Sequence, residues 1–161
     1  MGHRANFIII ENNEANAYYD NWAALGCTFL ALDGPAAARK AAETCEPTEE
    51  LLDWAFAEAG YLLDYDENCA VFFGVPDVPD LDGLPEEAVA EIEAGVSAFD
   101  NGIASFLATA APEWKGWTLR WDNRGVDAFS EHLTRRGIES IKTQPASHPD
   151  PGDTFELVVP V

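Results

Sequence analysis

The sequence predicts an α+β fold in a single domain over residues 1–161. We expect a largely antiparallel sheet, one long amphipathic helix over about residues 85–110, and two or three shorter helices. The chain has 161 residues, of which 47% are hydrophobic, so it is long enough to bury one core. Strands arranged mostly in hairpins, with a long helix pattern between them, favour this class over a strictly alternating parallel fold.

The first elements are predicted from β-forming residues and turn chemistry. Ala5–Ile10 is a strand pattern, Asn12-Asn13 tolerates the positive φ of a tight turn, and Ala15–Tyr19 is the return strand. After this hairpin we expect a third strand over Cys27–Leu32. A helix over Ala36–Cys45 follows, because the preceding proline suits the first helical position.

The middle of the chain predicts a helix and a second hairpin. Thr48 is a candidate N-cap followed by two acids, which the helix dipole favours, and this helix would end near Gly60. Tyr61–Leu63 and Ala70–Phe73 have the composition of paired strands, with polar turn residues between them.

The longest helix is predicted from its apolar period. Pro85 opens the pattern and Pro112 lies just beyond its end near Ala110. Its apolar residues recur at alternating steps of three and four, which indicates an amphipathic helix: Val89, Ile92, Val96, Phe99, Ile103 and Phe106.

The last third of the chain predicts strands around one helix, which ends at a basic turn and a glycine. The predicted elements are a strand over Gly116–Trp121, a helix over Asp127–Arg136 stopped by Gly137, and strands over Ile138–Lys142 and Phe155–Val159.

Acidic residues are segregated along the chain. No Lys or Arg lies between Lys40 and Lys115, while residues 41–114 carry eighteen Asp or Glu, so this segment contributes −18 of the net charge of −20. A strong field of one sign steers cationic partners. Nucleic acid is disfavoured as a partner because phosphate contacts need clustered Lys and Arg. Membrane binding is disfavoured too, since no long apolar stretch or polybasic anchor is present.

The charge pattern predicts an acidic cytoplasmic binding protein that neutralises a basic protein, namely an immunity protein that inhibits a bacterial toxin. Complementary charge is a common means by which such inhibitors associate rapidly. The oligomeric state stays open. The expected partner-binding residues are the acids around the start of the long helix: Asp77, Asp80, Asp82, Glu86, Glu87, Glu91 and Glu93.

Two alternatives to a binding protein remain. The chain has no G-x-S-x-G elbow, P-loop or dinucleotide-binding glycine pattern. A small enzyme of unrecognised type would use His3, Arg4 and Asp20 as candidate catalytic residues. A structural or regulatory module could instead self-associate through the long helix.

Neither a cofactor nor a metal is predicted. Segments around Asp64 and Asp80 partly match a calcium loop, but valine stands where the closing glutamate is needed in both. His132 lies on the Phe129 side of its helix and is expected to be a partly buried structural histidine. The odd number of three cysteines, together with the absence of a signal-peptide pattern, suggests free thiols in a reducing cytoplasm.

The N-terminus resembles that of a group of small bacterial proteins without an assigned function. The residues that carry this resemblance are Gly2-His3-Arg4-Ala5-Asn6, Tyr18-Tyr19, Trp22 and Gly34-Pro35, with a later patch at Gly116-Trp117 and Arg124-Gly125. The resemblance implies a bacterial cytoplasmic protein and carries over no catalytic residue. It makes His3, Arg4 and Asn6 the first place to look for a site.

Overall fold

The computed structural model describes residues 4–21, 27–51, 58–74, 85–87, 103–144 and 154–161. The strands in these ranges are Ala5–Glu11 (β1), Glu14–Asp20 (β2), Glu46–Thr48 (β3), Glu50–Leu51 (β4), Ala59–Asp64 (β5), Cys69–Phe73 (β6), Thr118–Asp122 (β7), Lys142–Thr143 (β8) and Thr154–Val158 (β9). The helices are Pro35–Glu43 (α1), Ile103–Ala110 (α2) and Val126–Arg136 (α3), with 3-10 turns at Thr28–Ala31 and Ala111–Glu113. Helices packed on a sheet make this an α+β architecture.

Seven strands form one sheet in the order β3-β2-β1-β5-β6-β7-β9, and β4 pairs separately with β8. Four pairings in the large sheet are antiparallel, but β1 with β5 and β6 with β7 are parallel. The sheet is therefore mixed, which corrects the expectation of a largely antiparallel one. The physical reason is that the connections from β2 to β5 and from β6 to β7 contain helical crossovers, which parallel neighbours require.

Helices cover both faces of the sheet. Ala38 of α1 and Phe106 of α2 pack with Phe7 and Tyr61 on one face, and Phe129 of α3 packs with the other. Successive residues of β1 alternate between these two cores, which explains why Phe7–Ile10 is apolar without interruption.

The first and second hairpins are confirmed, and so is the glycine stop of the C-terminal helix. Asn12 and Asn13 have φ of 55° and 64°, and Gly137 has φ of 71°. The closing strand is confirmed as β9, whereas Ile138–Lys142 contributes only its last residue to a strand, β8.

One predicted element and the predicted start of another are wrong. The third strand expected at Cys27–Leu32 is a 3-10 turn, whose Ala31 carbonyl accepts a hydrogen bond of 2.8 Å from Trp114 Nε1. Thr48 does not cap a helix, because its Oγ1 accepts the Glu50 N–H at 3.1 Å between two strands. Pairing of β3 with β2 and of β4 with β8 overrides the helix start predicted at Thr48, while residues 52–57 of the predicted helix lie outside the described residues.

The long helix expected over residues 85–110 is described only at its two ends. Glu86 and Glu87 are helical after Pro85, and α2 ends at Ala110 with Ile103 buried as expected. Residues 88–102 lie outside the described ranges, so one continuous helix stays a prediction.

Candidate functional site

One surface feature lies along strands β2 and β3. Strand register places Tyr19 beside Asn6 and Ala17 beside Thr48, so these four side chains point to the α3 face. Two shallow cavities of about 340 and 580 Å³ lie here and share Thr48 in their walls. We call this continuous surface the edge groove. Its lining residues are Arg4, Asn6, Tyr19, Asn21, Thr48 and Glu50 in the smaller cavity, and Ala15, Asn16, Ala17, Tyr18, Pro47, Thr48, Glu49, Ser140 and Ile141 in the larger.

Several polar residues line the smaller cavity, and one of them is a predicted catalytic residue, Arg4. Asn6 is 2% exposed and forms part of the wall, so the cavity reaches the start of β1. Glu50 lies on its rim, where its Oε1 accepts a hydrogen bond of 3.1 Å from Gln144 Nε2. Guanidinium, carboxylate and amide groups therefore border the same space.

Two of the three predicted catalytic residues, Arg4 and Asp20, lie toward opposite faces of the sheet. Asp20 follows Tyr19 in β2 and pairs with Ala5, whose side chain lies in the core on the opposite face of the sheet from the edge groove. Burial and the charge of Asp20 raise the pKa of the Cys45 thiol on that opposite face. His3 lies outside the described residues.

The predicted partner-binding acids are only partly described. Glu86 and Glu87 are both exposed at the helical turn after Pro85, as a contact surface requires. The others lie outside the described residues: Asp77, Asp80, Asp82, Glu91 and Glu93.

A separate cluster collects four of the nine Lys and Arg residues of the chain on the α3 side. We call it the arginine cluster; its members are Arg120, Arg124, Arg135 and Arg136. Each of these guanidinium groups is paired with a carboxylate. Asp122, which is fully buried, accepts from Arg120 at 2.9 Å and from Arg124 at 2.7 Å.

The most buried part of this network centres on Asp64, at the end of β5. Its Oδ2 accepts from Arg136 Nη1 and lies 2.8 Å from His132 Nε2, while Oδ1 accepts the N–H of Asp66 and of Glu67 at 3.0 Å each. Burial raises the pKa of this carboxyl, but the hydrogen bonds from His132 and Arg136 outweigh it and set the pKa at about 2. The Asp64 charge is therefore stable at neutral pH.

The same network ties two turns to the end of α3. Asp66 accepts the N–H of Asn12 and of Asn13 at 2.8 Å each, and it also accepts Arg136 Nη2 at 2.9 Å. Arg136 lowers the pKa of Asp66 through this hydrogen bond, and Arg135 likewise lowers the pKa of Glu67. The arrangement joins the β1–β2 turn, the β5–β6 turn and α3, which is a structural role.

His132 is 8% exposed, which confirms the burial expected for it. A neutral ring protonated at Nε2 satisfies both of its contacts, since Nε2 then donates to Asp64 and Nδ1 accepts from Arg135 Nη2 at 3.4 Å. Both ring nitrogens are thus occupied by neighbours. Cys69 lines the adjacent cavity of about 240 Å³, and burial raises the pKa of its thiol to about 11, so it is protonated at neutral pH.

Among the described residues, Asp64, Glu67 and His132 bring one potential metal ligand each within 4.8 Å of one another. Arg135 and Arg136 already neutralise these carboxylates. A divalent cation would have to displace both guanidinium groups, so the donor set suits arginine better than a metal.

Sequence reasoning missed the Asp64 network because its parts are distant in the chain. Asp64 and Arg136 are 72 positions apart, and the adjacent Arg135 and Arg136 were explained by the helix dipole alone. A buried strand that ends in Asp, followed by two further acids, is the signal that could have indicated a basic partner element.

Comparison of the chain with protein families, with curated proteins and with solved structures returns no match. Within the part of the chain that the structure describes, no helix has the length and apolar character needed to cross a membrane.

Proposed function

We propose that this chain binds and neutralises a basic protein, and that this partner is a bacterial toxin for which the chain is the immunity protein. The observation that carries the proposal is the partition of charge. Four of the nine cationic residues are paired inside the arginine cluster, and Arg39 is paired with Glu11 and Glu43. Five of the nine cationic side chains are therefore neutralised by neighbouring carboxylates.

The acidic segment, residues 41–114, contains no Lys or Arg that could pair with its own acids. Glu46, Glu49, Glu86 and Glu87 are exposed and have no ion pair with any other described residue. Their charges stay available to a partner, and exposed charges of one sign raise the rate at which a complementary surface associates.

The proposal also fits the chemistry of His132 and Cys69, which lie beside the arginine cluster. His132 has both nitrogens engaged and Cys69 is a protonated thiol, so neither is poised for proton transfer or nucleophilic attack. This cluster supports the fold and leaves the acidic surface as the feature that needs a functional explanation.

A toxin is a fitting partner because enzymes that attack nucleic acid carry clustered Lys and Arg to hold phosphate. An acidic protein that covers this cationic surface competes with the substrate. The same complementarity is not expected for a partner of neutral or acidic surface.

The test is survival of cells that express the toxin encoded beside the gene for this chain. Wild-type chain should protect the cells, and charge reversal at Glu86→Lys with Glu87→Lys should abolish protection, because like charges at an interface cost several kcal/mol. The matched control reverses two exposed acids outside the acidic segment, Asp33→Lys with Glu139→Lys, and should still protect.

Soluble protein is measured in every strain, so that loss of protection is not confused with loss of folding. Equal protection by both double variants would contradict the proposed surface. Absence of any toxin gene beside this one, or failure of the wild-type chain to protect, would contradict the immunity function itself.

A further inference from the structure

The edge groove has the shape and charge of a site for an extended, basic peptide segment. It follows β2, a strand of seven residues, which at about 3.3 Å per residue gives a length of roughly 23 Å. Its two cavities, of about 340 and 580 Å³, together exceed the space of a single side chain. A groove of this length suits a chain segment better than a compact ligand.

The floor and walls of the edge groove are suited to a peptide backbone. Ala15 is half-buried and has a small side chain, so a second chain can approach the strand closely at this position, whereas Ala17 is buried in the core. Asn21 is exposed in the wall of the smaller cavity and supplies an amide group that both donates and accepts hydrogen bonds, as an extended backbone requires.

The charge along the edge groove is negative. Glu49 and Glu50 line it, and Glu46 stands opposite Tyr19 in the β2–β3 ladder. All three acids are exposed, and they outnumber the two cations nearby, Arg4 and Lys142. The negative excess selects a segment that bears Lys or Arg.

We propose that the edge groove binds an extended segment of the partner protein in which lysine or arginine residues are interleaved with small ones. The inference rests on the proposed function, because it specifies which part of the basic partner this chain binds. Small residues pack against Ala15, and the basic side chains reach the acids at the rim.

The probe is a capped heptapeptide of alternating lysine and alanine, titrated into the full ¹⁵N-labelled chain and followed by backbone amide shifts. The expected result is saturable binding with the largest shifts in Ala15–Tyr19 and Glu46–Glu50. The same peptide with glutamine in place of lysine should bind at least about tenfold more weakly, which is about 1.4 kcal/mol. Shifts centred on Glu86 and Glu87, or spread evenly over all exposed acids, would overturn the inference.

A steric variant separates the groove from general attraction by charge. Ser140→Trp fills the larger cavity from an exposed position without altering charge, and Thr134→Trp places the same ring on the exposed side of α3. The first should weaken peptide binding by about tenfold, which is about 1.4 kcal/mol, because the ring occupies space that the peptide needs. The second should weaken it by less than about twofold, because its ring lies outside the groove. Equal affinities would overturn the inference, and amide spectra report whether each variant is folded.

Toxin neutralisation distinguishes the two proposals. If Ser140→Trp loses the peptide but still protects cells from the toxin, the groove inference fails and the immunity function stands. If the groove binds the peptide while the wild-type chain fails to protect, the proposed function fails instead.

Discussion

Replacement of Asp64 by asparagine tests whether the buried ion network holds the fold together. In the Asp64→Asn variant, the amide oxygen can still accept the N–H groups of Asp66 and Glu67. The amide nitrogen, however, becomes a donor that faces the donors of His132 and Arg136. Two buried donors then lose their acceptor at once.

The size of the effect follows from burial. Asp64 is fully buried and the Arg136 side chain is 11% exposed, so removal of one partner leaves a charge that water reaches poorly. Breaking a buried pair destabilises a protein by about 3–5 kcal/mol, and the cost here should lie near the lower end of this range because Arg136 keeps its ion pair with Asp66 at 2.9 Å. The matched control is Glu67→Gln, whose exposed pair with Arg135 should contribute less than about 1 kcal/mol.

The pH dependence gives a second reading of the same contact. The folded pKa of Asp64, about 2, lies below the ordinary value of 3.8, so its stabilisation is complete above the ordinary value and is lost as the pH falls through about 2. The stability difference between wild type and Asp64→Asn should therefore shrink as the pH falls from about 5 to about 2. Shared titration of the other acids cancels when both proteins are compared at one pH.

Urea unfolding at a series of pH values measures both effects as a free energy of unfolding. The reasoning is refuted if Asp64→Asn is no more costly than Glu67→Gln at pH 7. It is also refuted if the difference from wild type does not change with pH.

Three further substitutions test the packing, each by urea unfolding. Gly60→Ala would place a Cβ 2.0 Å from the Asn6 carbonyl oxygen and should cost more than about 3 kcal/mol, whereas Gly137→Ala meets no atom within 4 Å and should cost only about 1–2 kcal/mol through its positive φ; the reverse order would contradict the β1–β5 packing. Ile103→Ala should cost about 2–5 kcal/mol if α2 is a core helix, and a loss below about 1 kcal/mol would contradict this. Trp114→Phe should cost about 1–3 kcal/mol because it removes the donor to a buried carbonyl, and a neutral result would show that bond to be dispensable.

Local signals were sufficient for the elements whose conformation is decided within a few residues. Asn12-Asn13 predicted the first turn because asparagine tolerates the positive φ that the turn has. Gly137 predicted the end of α3 for the same kind of reason.

Elements decided by distant partners could not be predicted in this way. The Thr48 hydroxyl can cap a helix or close a turn between strands, and only its pairing with β2, far away in sequence, selects the second. Asp64 likewise ends a buried strand and precedes two further acids, a local pattern that fits both a buried ion pair and the calcium-loop chemistry considered for it, and only its contact with the distant Arg136 selects the first. Of the residues that line the edge groove, the sequence singled out only Arg4 and Asn6 for attention, since the other walls come from separate segments of the chain.

The central claim is that unopposed acidic charge brings a basic toxin to this chain. Stopped-flow measurement of the association rate between the purified chain and that toxin, across salt concentrations, tests it most directly. The Debye length falls from about 10 Å at 0.1 M salt to about 3 Å at 1 M. The association rate is therefore predicted to fall by at least about tenfold over this range. A rate that stays constant with salt would contradict the claim.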